Sequence, residues 1–129
     1  MPTHILVYDH SALILANFQH TLELAGFRVT ARFPREIEPP QVAKHQPDFI
    51  LLALVQESYR SSVERILAIH DEPTLVHIPI VLAVPDDQDI PVPQDVEGMV
   101  AVRYRQKPFN IDAAIAAIRA LENKDSSQS

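Results

Sequence analysis

Three stretches of the chain are apolar without interruption: ILVY at 5–8, FILLALV at 49–55 and IVLAV at 80–84. Continuous runs of this length are how strands buried on both faces are written. Between them the period lengthens. Leu15, Phe18 and Leu22 recur at helical spacing behind Ser11, a capping residue, and ahead of Gly26, a stop. FRVTARF (27–33) alternates and predicts a second, less buried strand. REIEPPQVAKHQ (35–46) predicts a weak helix, because Pro39 and Pro40 interrupt any helix begun before them. Residues 59–70 place Tyr59, Val63, Ile66, Leu67 and His70 on one helical face. PDDQDIPVPQDVEG (85–98) stands where another helix is due, yet Pro85, Pro91 and Pro93 limit it to a single turn at best. MVAVRY (99–104) predicts a fifth strand. Asn110 then caps a helix with Ile111, Ile115, Ile118 and Leu121 on one face.

Strand and helix thus alternate five times. The pattern predicts a three-layer α/β/α domain with a flavodoxin-like, five-stranded parallel sheet in the order 2-1-3-4-5. Helix four is shortened or replaced by a proline-rich loop. The domain is expected over residues 1–122, and the polar tail NKDSSQS (123–129) is expected to be disordered. In such a sheet functional groups collect at the carboxyl ends of strands one, three, four and five.

Composition narrows the chemistry. The 129 residues carry a net charge of −6, which argues against a general nucleic-acid surface. No run of about 18 apolar residues is present, so no membrane span is expected. MPTHILVYDH lacks the features of a signal peptide. The absence of cysteine excludes disulfides, thiol catalysis and Cys-based zinc sites, and it fits a cytoplasmic protein. Gly26 and Gly98, the two glycines, stand too far apart to form a phosphate-cradling loop. The six histidines show no ligand spacing such as H-E-x-x-H, so no zinc site is supported.

The four strand ends read VYDHS (7–11), LLALVQE (51–57), LAVPDD (82–87) and YRQKPFN (104–110). In this order they resemble the receiver domains of bacterial response regulators, and the resemblance covers nearly the whole chain. QPDFILLAL is similar to the family's third strand, P-D-(apolar)4-D, and YRQKPF to its aromatic-x-x-Lys-Pro-Phe ending. In that family a central aspartate accepts a phosphoryl group from a histidine kinase. Paired acids hold Mg²⁺, a hydroxyl contacts the phosphoryl group, and a lysine pairs with its charge. Position by position, Asp9 matches the first acid and His10 replaces the second. Ala53 stands at the acceptor position and Val84 at the hydroxyl position. Lys107 is retained, and Tyr104 matches the aromatic position associated with switching.

The resemblance therefore implies a receiver that has lost its reaction. A methyl group cannot act as an oxygen nucleophile. One carboxylate beside an imidazole and a methyl is a poor Mg²⁺ site, and no cofactor is expected. Asp48 lies about 16 Å back along the strand and belongs to the P-D opening; Glu57 and Ser58 are better placed but need a new geometry. His10 could serve as a metal ligand, a proton switch or a plain loop histidine. Lys107 either pairs with Asp9 across the emptied pocket or extends over the sheet edge. The expectation is a stand-alone receiver-like protein of two-component or phosphorelay signalling that is not an enzyme. It would bind a protein partner, a homodimer included, through Tyr104, Phe109, Asp86, Asp87 and Asp89. A ligand-sensing domain taking a small molecule between Ala53 and Val84 is the alternative. A divergent enzyme stands third, because no nucleophile–base pair is visible in the sequence.

Overall fold

The apolar runs assemble into one six-stranded sheet in the order β2-β1-β3-β4-β5-β6. The computed structural model describes the backbone of residues 2–128 and the side chains of residues 2–123. The elements are β1 (His4–Tyr8), α1 (Ala12–Leu24), β2 (Arg28–Arg32), a 3₁₀ turn (Pro34–Glu36), α2 (Pro39–His45), β3 (Phe49–Ala53) and α3 (Tyr59–Asp71). β4 (Ile80–Pro85), β5 (Met99–Gln106), β6 (Phe109–Asn110) and α4 (Asp112–Gln128) complete the chain. Strands β1 to β5 run parallel. The sixth strand corrects the expected count of five. Lys107 and Pro108 turn the chain back, and Phe109 and Asn110 pair antiparallel with Gln106 and Arg105. The expectation for the tail falls, beyond Asn123, on side chains outside those described.

Every residue of β1, β3 and β4 is buried, the apolar runs and the hydrogen-bonded His4 at the start of β1 alike. The two-residue period of a strand sorts these side chains into two cores. Ile5, Val7, Phe49, Leu51, Ala53, Val81 and Ala83 pack under α1 and α4. Leu6, Tyr8, Ile50, Leu52, Ile80, Leu82 and Val84 pack under α2 and α3. β2 is the polar edge, with no fully buried residue. Asp48 joins the amino ends of β1 and β3: its Oδ2 accepts from the His4 N–H at 2.8 Å.

Helix boundaries follow local chemistry. The Ser11 hydroxyl accepts from the Ile14 N–H at 3.2 Å and opens α1, which ends before Gly26 at φ +100°. α2 starts on Pro39 and Pro40, where the missing N–H groups would have had no helical partner. The buried stripe of α3 is Ser62, Ile66 and Ile69, with Tyr59, Val63, Leu67 and His70 along its half-buried flank. Hydropathy passes over Ser62, whose hydroxyl lies 3.4 Å from His10 Nε2. On α4 the small Ala114 and Ile118 join Ile111, the residue before the helix, at full burial, while Ile115 and Leu121 are half-buried.

Residues 86–98 contain turns but no helix. The loop is nevertheless fastened. Ile90 is buried in the α3-side core, and Val92 packs at its margin. Arg103 Nη1 donates to the carbonyls of Gln88 at 2.7 Å and Pro85 at 3.3 Å. The Gln56 N–H donates to Gln88 Oε1 at 3.0 Å, and His70 Nε2 donates to the Glu97 carbonyl at 2.6 Å. A side chain thus fills the core where a helix face would have done so. Ile90→Ala is expected to destabilise the fold by about 2–4 kcal/mol in urea unfolding. Pro91→Ala, at an exposed position of the same loop, should stay within about 1 kcal/mol of the parent. Equal effects would mean the loop is not core-anchored.

Candidate functional site

The carboxyl edge of the sheet gathers the residues singled out in the sequence. Asp9 follows β1 directly and is only 1% exposed. Its Oδ1 accepts from the Ser11 N–H at 2.8 Å, while Oδ2 has no partner among the described residues. Burial pushes this carboxyl up to about 6, against the opposing pull of the Ser11 and His10 backbone amides. A charged carboxylate is therefore costly here.

Ala53 ends β3 at 0% exposure, in register with Ala83, and the chain continues through a Leu54 N–H to Ala83 carbonyl bond of 2.9 Å. Its methyl faces the α1 and α4 core. Val84, 4% exposed, points to the opposite core with Tyr8 and Leu54. The two side chains are thus packed apart, on different faces of the sheet. This corrects the expectation of an apolar hollow walled by Ala53 and Val84 together.

His10 is exposed, with Nε2 at 2.6 Å from Ser58 Oγ. Partial burial lowers its pKa, and the charge of Glu57 works the other way. Ser58 and His10 form a hydroxyl–imidazole pair that corrects the reading of no nucleophile–base contact. Sequence gave no sign of it because 48 positions separate the two and no motif links them. Among the described residues no carboxylate pairs with His10, the part that fixes the base in a nucleophilic triad.

Lys107 is exposed in the β5–β6 return, and among the described residues it makes no ion pair with Asp9. It lines a groove of about 340 Å³ with Asp86, Asp87, Arg105 and Gln106. Asp86 accepts from Arg105 Nε at 3.4 Å. Both partners are well exposed, so this pair contributes little to stability. Asp87 and Asp89 are exposed as expected. Tyr104 is not: at 2% exposure it lies in the core, which corrects its assignment to a partner surface. Its ring packs 5.2 Å from Phe18, which in turn meets Phe109 edge-on at 5.2 Å. The hydroxyl accepts from Gln106 Nε2 at 3.0 Å, and burial raises its pKa to about 12. Phe109 is half-buried against the same cluster.

The donor set does not suit Mg²⁺. Asp9 offers one free oxygen, His10 after it in the chain is engaged with Ser58, and the end of β3 carries the methyl of Ala53. Among the described residues no three His, Asp or Glu side chains converge on one point. Hard cations of this size need several oxygen ligands in octahedral array.

This architecture is that of receiver domains. The chain is similar to the chemotaxis protein CheY4 of Vibrio cholerae, with 20% identity over 93% of this chain and 98% of the other, at a TM-score of 0.69. It is equally similar in shape to the N-terminal domain of the nisin resistance regulator NsrR, a lantibiotic response regulator. There the identity is 17%, coverage 93% and 97%, and the TM-score 0.69. The anti-anti-sigma factor PhyR from Bartonella quintana matches with 22% identity and a TM-score of 0.66, over 99% of this chain but 51% of PhyR. The receiver fold stands on these likenesses. No protein-family model matches the chain, and no curated protein matches it in sequence.

The buried carboxyl of Asp9 gives a pH signature. A folded-state pKa above the unfolded value means that the folded protein holds this proton more tightly. That contribution to stability is full below about pH 4 and is lost as pH rises through about 6. On the linkage scale the shift corresponds to roughly 3 kcal/mol. Asp9→Asn keeps an oxygen for the Ser11 N–H and cannot ionise. It is expected to raise stability by about 1–3 kcal/mol near pH 8 and by much less near pH 4. Urea unfolding at both pH values checks this, and an equal gain at both would refute the assignment.

Proposed function

We propose that the chain is a receiver-like signalling domain of two-component or phosphorelay type that acts by protein–protein contact and is not itself phosphorylated. The carrying observation is Ala53. It is sealed against Ala83 at the strand end where receiver domains present their acceptor aspartate, and a buried methyl offers no nucleophile. Three neighbours support the reading: Val84 brings no hydroxyl, His10 is held by Ser58, and Asp9 has one free oxygen. Such relays operate in the cytoplasm, where a chain without cysteine is at home.

The partner surface we infer is the acidic loop after β4. Asp86, Asp87 and Asp89 are exposed, beside Arg105 and Lys107. A charged rim of this kind steers association more than it sets affinity. A second copy of the chain is one candidate partner. No helix among the described residues is long and apolar enough to cross a membrane.

Incubation with acetyl phosphate and Mg²⁺ should leave the intact mass unchanged. A stable phosphoryl adduct would overturn the proposal, and peptide mapping would show whether Glu57, Ser58 or His10 carries it. Replacing Asp86, Asp87 and Asp89 together by Ser should slow partner association by roughly tenfold at low salt. Unchanged association rates would remove the loop from the contact.

A further inference from the structure

The sheet ends at β2, which pairs with β1 and has no strand on its other side among the described residues. The Arg28 N–H donates to the Thr3 carbonyl at 2.9 Å, and the Arg32 carbonyl accepts from the Asp9 N–H at 3.4 Å. The backbone groups of Arg28, Thr30 and Arg32 therefore turn toward β1. Strand period then turns those of Val29 and Ala31 outward. Phe33 closes the run, because its N–H donates to Glu36 Oε2 at 2.8 Å. The Val29 N–H and carbonyl and the Ala31 N–H have no partner among the described residues. The Ala31 carbonyl has one, and it is a side chain: Arg32 Nη1 donates to it at 2.7 Å.

An open edge is a template for another strand, and the side chains beside it decide which strand. FRVTARFPR (27–35) holds three arginines and no acid, in a chain of net charge −6. None of the three forms an ion pair among the described residues. Arg28 Nη2 meets His4 Nδ1 at 3.0 Å, and Arg35 lies 4.9 Å over the Phe33 ring. Their charge is felt nearby: after burial itself, Arg28 lowers the pKa of His4, and Arg32 that of His45. Val29 and Ala31 pack toward α1 and α4, so Arg28, Thr30 and Arg32 share the opposite face. A second copy of β2 laid in register would set arginine against arginine in either direction. The edge thus repels itself and favours an acidic strand.

We propose that the β2 edge takes an extended segment of an acidic partner protein as an added strand. The segment carries two acids four residues apart, about 13 Å, to face Arg28 and Arg32. Apolar residues between them stand on the other face beside Val29 and Ala31, giving the pattern acid-apolar-x-apolar-acid. That pattern reads the same in either strand direction. Backbone hydrogen bonds supply affinity, and the two arginines select the sequence. A guanidinium binds a carboxylate more strongly than a neutral carbonyl. An arriving acid therefore draws Arg32 off the Ala31 carbonyl, and an N–H of the added strand donates there instead. β2 lies at the opposite side of the sheet from β5 and the acidic loop, so the two surfaces are independent.

Fluorescence anisotropy of the full chain with a fluorescein-labelled Ser-Glu-Val-Thr-Val-Glu-Ser peptide tests the assignment. Binding should saturate at low salt and weaken as salt is added. A peptide with Gln in place of both Glu should bind about tenfold more weakly. Arg28→Glu combined with Arg32→Glu should reject the Glu peptide and accept one with Lys at both positions. N-methylation removes peptide N–H groups and leaves the charges alone. Of the two alternating sets of N–H groups, methylating one should abolish binding and methylating the other should be tolerated. Val29→Pro removes an outward N–H at an edge position and should lose the peptide, with circular dichroism confirming the fold. Should that variant not fold, the methylated peptides decide the point. Equal tolerance of both methylation sets would overturn strand addition and leave charge attraction alone. Absence of saturable binding, or equal binding of the Gln peptide, would overturn the proposal outright.

Discussion

The structure depends on burying β1, β3 and β4 on both faces at once. A strand with no solvent side must be apolar along nearly its whole length, with any buried polar group such as His4 hydrogen-bonded, and its two sets of side chains must satisfy two separate cores. Ile5, Val7 and Phe49 serve one core while Leu6, Tyr8 and Ile50 serve the other. The sheet interior then has no room for chemistry, which is pushed to the strand ends. Asp9 shows what happens one residue past that boundary: it is still buried, and its ionisation is correspondingly disfavoured.

The same constraint explains what was legible in the sequence. Strands buried on both faces leave an unbroken apolar signature, so β1, β3 and β4 could be placed to within a residue or two. The caps at Ser11 and Asn110 and the prolines of α2 are equally local, and Asn110 Oδ1 does accept from the Asp112 N–H. What escaped has no local signature. β6 is two residues long and exists only because Arg105 and Gln106 offer it an edge. Ser62 is buried by the approach of α3 to His10, not by hydropathy. Tyr104 reads as an exposed aromatic amid Arg103 and Arg105, and only the rings of Phe18 and Phe109 reveal it as core.

The positions of the site residues were more legible than their contacts. Ala53 and Val84 could be placed at strand ends by counting residues. Their packing into different cores follows from strand register, which two positions one residue apart in phase make plain only once the sheet is built. The Ser58–His10 contact joins the end of β1 to the start of α3 and could not be read from either segment alone.

Gln88 connects segments that are otherwise separate. Its carbonyl receives the Arg103 guanidinium from β5, and its side-chain oxygen receives the Gln56 N–H from the segment leaving β3. One residue of a loop without helical structure thus acts as a pin through three layers of chain. Lifting the loop would unseat a backbone amide on one side and a cation on the other in the same movement. The segment therefore behaves less like a flexible arm than like a latch, with two catches that release together.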